Sequence, residues 1–307
     1  MLALIAVDLS HEPNRVVEMA GAWAARLGAR ADVAYVDPIA NFAPLVRHAD
    51  LRRSVQDQIQ HITLEEKTRV DALVATLPVD ARGTGRVWDG AGAVAIAEHS
   101  ASYNLVLVGT HGRQGLVHLV LGSSAERIAR WSHAPVLVVR NAPPASGGRV
   151  LVAVDLRDHA EVVVDRALPY AKALGATVDL VFVEDAVNFA PLTMEAPVLA
   201  LVAEHVARRR TQDQAAMLDL LNRVPAGARG KATVEDGDPG HRIGKLASNY
   251  DLLITGTHGR SGLDRWWLGS VAENILRSAE RSVLVVHLEA FGGHAEEEGT
   301  DGDAHRS

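Results

Sequence analysis

Short apolar runs closed by an acid alternate with longer segments in which apolar residues return every three or four positions. Leu2–Val7 is such a run, ended by Asp8, and reads as a buried strand. Glu12–Leu27 follows, with Val16, Ala20, Trp23 and Leu27 on one helical face and Gly28 as its stop. Ala31–Val36 is a second strand, ending at Asp37-Pro38. A long helix is expected from about Leu45 to Leu77, where Pro78 stops it. Arg86–Trp88 gives a weak third strand and Ala91–Ser100 a helix. Leu105–Val108 is a buried strand running into Gly109, Ser123–Trp131 a last helix and Pro135–Arg140 a last strand. Strands alternating with helices predict a parallel sheet covered on both faces.

The whole pattern then recurs at an offset of 147 residues. Val7-Asp8-Leu9 returns as Val154-Asp155-Leu156, and the stripe of the first helix as Val163, Ala167, Tyr170 and Leu174 before Gly175. Asn41-Phe-Ala-Pro-Leu45 returns as Asn188-Phe-Ala-Pro-Leu192. Between Leu105–Arg127 and Leu252–Asn274, 13 of 23 positions are identical, where unrelated segments would share roughly one or two. The offset does not drift, so this is a duplicated domain and not a solenoid. The expected division is residues 1–143, a Pro- and Gly-rich linker 144–148, residues 149–290, and an acidic glycine-rich tail 291–307 without periodicity.

Composition narrows the function classes. The chain has 307 residues, 48% of them hydrophobic, which suffices for two sizeable cores. The net charge of −7 argues against nucleic acid and anionic membrane as partners. The absence of cysteine excludes disulfides, thiolate metal sites and a cysteine nucleophile. The first residues have no basic region or cleavage site of a secretory leader, and no run reaches the ~18 apolar residues of a membrane span, so a cytoplasmic location is expected.

In an open α/β sheet, ligands sit at the carboxyl ends of strands where strand order reverses. After the fourth strand the first copy reads Gly109-Thr-His111-Gly112-Arg113, then Gly122-Ser123-Ser124. The second reads Gly256-Thr-His258-Gly259-Arg260, then Gly269-Ser270-Val271. Glycine admits close backbone approach and positive φ. A Gly-Ser pair opening a helix offers free N–H groups and a positive dipole end to an anion, with the serine as N-cap or hydroxyl donor. Arg113 and Arg260 can add a cation. Turn glycines with an ordinary N-cap would look the same in one copy; identical spacing in two copies favours a phosphate site.

The arrangement resembles the ATP-binding subgroup of the universal stress protein family, marked by Gly, two residues, Gly, nine residues, then Gly and Ser or Thr. Gly109, Gly112, Gly122 and Ser123 match in one copy, and Gly256, Gly259, Gly269 and Ser270 in the other. The resemblance covers Met1 to about Glu289. It implies an α/β fold of two tandem open parallel five-stranded sheets flanked by helices, Rossmann-like in the manner of adenine nucleotide alpha hydrolases. It places Asp8 and Asp155 at the ribose or base, Val36 and Val183 beside the adenine, small Ala6 and Ala153 in the base pocket, and the backbone of His111 and His258 near the phosphates. It implies an adenine nucleotide (ATP, ADP or AMP) with Mg2+ carried on the phosphates. It also implies pairing through the last strand, Val136–Val139 with Val283–Val286, as a pseudo-dimer within the chain, and it leaves open a homodimer of chains.

Three functions stay open at this point: an ATP-binding protein of stress response or sensing, a slow ATPase or other nucleotide-dependent enzyme, and a scaffold that has lost its ligand. No general base is evident for γ-phosphate transfer, so turnover is expected to be poor. Gly240-His-Arg-Ile-Gly244-Lys245 imitates a phosphate loop, but has three residues between its glycines and Leu246 where a magnesium-binding hydroxyl belongs; it is expected to mark a turn entering the third helix of the second copy. Ser124 against Val271, and Leu119-Val120 against Trp266-Trp267, predict related but unequal pockets.

Overall fold

The computed structural model describes residues 1–9, 13–38, 49–110, 121–185, 196–257 and 268–288. The first copy runs β1 (Leu2–Ala6), α1 (Pro13–Arg26), β2 (Arg30–Asp37), α2 (Ala49–Thr76), β3 (Arg82–Asp89), α3 (Gly92–His99), β4 (Leu105–Gly109), α4 (Ser123–Trp131) and β5 (Val136–Val139). The second runs β6 (Arg149–Ala153), α5 (Ala160–Leu174), β7 (Thr177–Glu184), α6 (Ala196–Asn222), β8 (Arg229–Asp236), α7 (Pro239–Leu246), β9 (Leu252–Thr257), α8 (Ser270–Ser278) and β10 (Ser282–His287). No helix among the described residues is long and apolar enough to cross a membrane.

Each copy contributes five strands, and the ten form one sheet in the order β3-β2-β1-β4-β5-β10-β9-β6-β7-β8. Every pairing is parallel except the seam, where Val136, Leu137 and Val138 of β5 lie antiparallel to Val285, Leu284 and Val283 of β10. The two expected five-stranded sheets are thus halves of one sheet. An apolar last strand left at an edge would expose unpaired backbone, and pairing it with its duplicate removes two edges at once. Alternate residues feed two cores. Ile5, Leu107, Leu137, Leu284 and Ile254 pack under α1, α2, α5 and α6. Leu4, Val106, Val138, Val283 and Leu253 pack under α3, α4, α7 and α8. Both cores cross the seam without a break.

Side chains reinforce the seam. Glu126 and Arg130 on α4 meet Glu273 and Arg277 on α8 in a closed ring. Arg130 reaches Glu126 at 3.2 Å and Glu273 at 3.3 Å, and Arg277 reaches Glu273 at 2.7 Å and Glu126 at 3.1 Å. On the opposite face Arg26 of α1 donates to the carbonyls of Ala173, at 2.7 Å, and Leu174, completing the C-terminus of α5 in the other copy.

The third strand is longer than its sequence suggests. Arg82-Gly-Thr-Gly-Arg86 reads as loop, yet it pairs with β2, with a register shift between Ala31 and Val33. Gly83 is required there, because a Cβ would strike Asp32 Oδ1 and the Ala31 carbonyl. The same arrangement recurs at Gly230, against Asp179 and Val178. Gly240 and Gly244, expected at a turn entering the third helix, lie inside that helix, α7, where a Cβ on either would collide with Asn274 or Ser278 of α8. They are packing glycines, and Ala93 and Ala97 hold the corresponding buried positions in α3.

Candidate functional site

In each half the chain builds three strands outward and then crosses back: β1, β2, β3, then β4 on the other side of β1, and likewise β6, β7, β8, then β9 beside β6. The crevice at the carboxyl ends of the two middle strands is therefore the switch point of each half. In the second copy a cleft of about 230 Å³ opens there. Ala153 at the end of β6, Asp155 just beyond it, Val183 in β7, Gly256 in β9 and Val271 in the first turn of α8 all line it, so five of the expected residues converge. Gly269 and Ser270, before Val271, stand at the start of α8. The matching residues of the first copy lie along the same edge: Ala6 ends β1, Asp8 follows it exposed, Val36 is buried in β2, Gly109 ends β4, and Gly122, Ser123 and Ser124 begin α4. His111, Gly112, Arg113, His258, Gly259 and Arg260 lie outside the described residues, as do Leu119-Val120, Trp266-Trp267 and the tail.

The glycines serve different ends. Gly109 and Gly256 face helices: a Cβ would stand 2.8 Å from Val16 and 2.7 Å from Val163, respectively. Each lets α1 or α5 press on the edge beside the crevice. Gly122 and Gly269 are the residues before α4 and α8, and neither cap uses a side chain. Ser123 is therefore not the N-cap; it is the first helical residue, exposed, as is Ser270. Gly122 N donates to Thr110 O at 3.0 Å, drawing the ends of the intervening loop together. The two caps differ in backbone: φ is −65° at Gly122 and +67° at Gly269. Gly269→Ala is expected to cost about 1–2 kcal/mol through left-handed strain, whereas Gly122→Ala should stay within about 0.5 kcal/mol. Urea unfolding of the two variants compares them directly.

The inner ends of the crevices also differ. Asp155 Oδ1 accepts from Arg157 N at 2.9 Å, folding the loop after β6 back on itself. Arg157 then lies over the Phe182 ring, 5.5 Å from its centre, and reaches Glu184 at 3.2 Å. Arg209 of α6 reaches the same carboxylate at 3.0 Å. In the first copy the position of Glu184 is Asp37, fully buried beside Glu66 and Tyr35. Burial, then the charge of Asp37, pushes the Glu66 carboxyl up. Burial and the carboxylates of Glu66, Asp37 and Asp8 push up the Tyr35 hydroxyl. The second copy thus pairs one acid, Glu184, with two arginines, where the first gathers Asp37 and Glu66 with Arg69 beside Glu66. Sequence reading missed Arg157, Phe182 and Glu184 because their counterparts, Ser10, Tyr35 and Asp37, differ, and repetition was the guide.

Fold and crevice together define an open α/β protein with a duplicated switch-point site. The model of the universal stress protein family matches residues 3–140 and again 148–287, and the chain belongs to that family. Universal stress protein Rv1996 of Mycobacterium tuberculosis is 26% identical over 237 residues, 74% of this chain and 73% of that protein. Universal stress protein A homolog 1 of Coxiella burnetii is 30% identical over 145 residues, 45% of this chain and 95% of that protein, the length of a single copy. Among solved structures, PA1789 of Pseudomonas aeruginosa, described as functionally unknown, shares the fold at TM-score 0.61 and 18% identity, covering 93% of this chain and 92% of its own. A universal stress protein from Archaeoglobus fulgidus does so at TM-score 0.58 and 18% identity, covering 94% and 98%.

Proposed function

We propose that each half of the chain binds one adenine nucleotide, ATP in the first instance, and that occupancy rather than turnover is what a stress response reads. One observation carries this reading: the Gly-Ser pair opens a helix at the carboxyl edge, next to the switch point, in both copies. The first N–H groups of α4 and α8 and the exposed hydroxyls of Ser123 and Ser270 suit phosphate. The small residues Ala6 and Ala153, with Val36 and Val183, suit the base and sugar. Among the described residues no three carboxylate or imidazole groups converge for a metal. Mg2+ would be carried by the phosphates, where it would offset their charge. The cytoplasm, where ATP is abundant, is the compartment that fits this reading.

Calorimetry with Mg-ATP is expected to give close to two sites per chain. Gly122→Val and Gly269→Val should each remove one of them, by crowding the N-terminal end of α4 or α8. Sustained phosphate release above about one turnover per minute would favour an enzyme. No heat at millimolar ATP would overturn the proposal.

A further inference from the structure

The residue after the fourth core position of each last strand occupies a distinctive place. Arg140 directly follows Val139, the β5 partner of Gly109, and its duplicate, His287, pairs with Thr257 in β10. Both stand at the carboxyl edge of their half, beside the glycine-threonine step where the phosphate loop leaves the sheet. Both side chains fall on the face covered by α4 and α8, the helices that open with Gly-Ser. Arg140 Nη2 donates to the carbonyl of Leu276 near the end of α8, across the seam. His287 Nδ1 lies 3.4 Å from Thr257 Oγ1.

Each side chain also keeps polar atoms unmatched. Arg140 Nε and Nη1, and His287 Nε2, are buried with no hydrogen-bond partner among the described residues. Burial lowers Arg140 to about 10, which leaves it charged at neutral pH. Burial lowers His287 to about 4, with Arg166 of α5 and His133 ahead of β5 also opposing protonation and the Ala134 backbone favouring it, so it is neutral. A buried guanidinium with two idle donors carries a large desolvation cost that an anion would offset. A neutral imidazole carries no such demand.

We propose that Arg140 and His287 set the charge preference of the two nucleotide sites: Arg140 supplies a fixed cation that favours the triphosphate over the monophosphate in the first copy, and His287 in the same place leaves the second copy far less selective. This rests on the nucleotide reading above. The duplication would then give one chain a site keyed to phosphate charge and a second that follows total adenine nucleotide.

Calorimetry with Mg-ATP and with AMP tests this, each site being measured alone in chains whose other site is silenced by Gly122→Val or Gly269→Val. Arg140→Gln should weaken ATP at the first site by about tenfold or more and AMP by less than about threefold, with Arg140→Lys restoring part of the difference. His287→Arg should raise the ratio of ATP to AMP affinity at the second site by a similar factor. That variant adds a charge, so it tests the idea even if Arg140→Gln fails to fold. Equal losses for ATP and AMP in Arg140→Gln, or an unchanged ratio in His287→Arg, would overturn the assignment while leaving nucleotide binding intact. Absence of heat with either nucleotide in the unmodified chain would overturn both.

Discussion

Trp23→Ala is expected to lower the stability of the chain by about 3–5 kcal/mol, read as a fall in the urea midpoint followed by far-ultraviolet circular dichroism. Trp23 is fully buried on α1, among the largest side chains of its core. Truncation leaves a cavity between α1 and the sheet that surrounding residues fill only in part. The ring has a second task. Its Nε1 donates to Asn141 O at 2.7 Å. Asn141 in turn accepts from Ser282 N at 2.7 Å through Oδ1, at the first residue of β10. Trp23 thereby ties α1 of one copy to the strand that begins the seam in the other. Trp23→Phe should cost less than Trp23→Ala but remain destabilising, because it restores volume without the donor and leaves the Asn141 carbonyl one hydrogen bond short.

Much of this arrangement is legible in the sequence, for a physical reason. Strands buried on both faces have no room for polar residues, so Leu2–Val7, Leu105–Val108 and Val136–Val139 stand out as apolar runs. Helices covering one face show their stripe, as Val16, Ala20, Trp23 and Leu27 do. Strands β3 and β8 are hidden because they are edges, half in solvent, and because Gly83 and Gly230 make room for a carboxylate. The candidate site is legible where the copies agree, at Asp8 and Asp155 or Gly122 and Gly269. It is illegible where they diverge, as at Arg157, because an unrepeated residue has no second instance to mark it. Asp32 and Asp179 are the instructive exception. They repeat faithfully, with Tyr103 and Tyr250, yet an acid inside an apolar run looks like an interruption of the strand until its partners are known.

Those partners make Asp179 the site of the second large effect. Its carboxylate is buried and accepts from Lys231 N at 2.7 Å, Tyr250 Oη at 2.8 Å and Arg149 Nη2 at 2.5 Å. It therefore pins β8 to β7 where Gly230 has surrendered its side chain, and holds the start of β6 and the approach to β9. Asp32 likewise pins β3 to β2 and holds the approach to β4, accepting from Thr84 N at 2.8 Å, Tyr103 Oη at 3.1 Å and Arg86 Nε at 3.3 Å, but its arginine comes from β3 and not from the first strand. Asp179→Ala should cost about 3 kcal/mol, because it strands a backbone N–H and a tyrosine hydroxyl, while half-exposed Arg149 regains water. Burial by itself would raise both carboxyls, but the hydrogen bonds outweigh it and hold each below the ordinary value of 3.8. A depressed carboxyl contributes stability that is fully present above the unfolded-state value and is lost as pH falls through the lower folded value. The stability gap between the parent chain and an Asp32→Ala, Asp179→Ala double variant should accordingly stay constant from pH 7 to about 4 and narrow only below that. A gap that narrows between pH 7 and 5 would mean that the pair is not held as carboxylates, and the account of how the edge strands are fastened would fail with it.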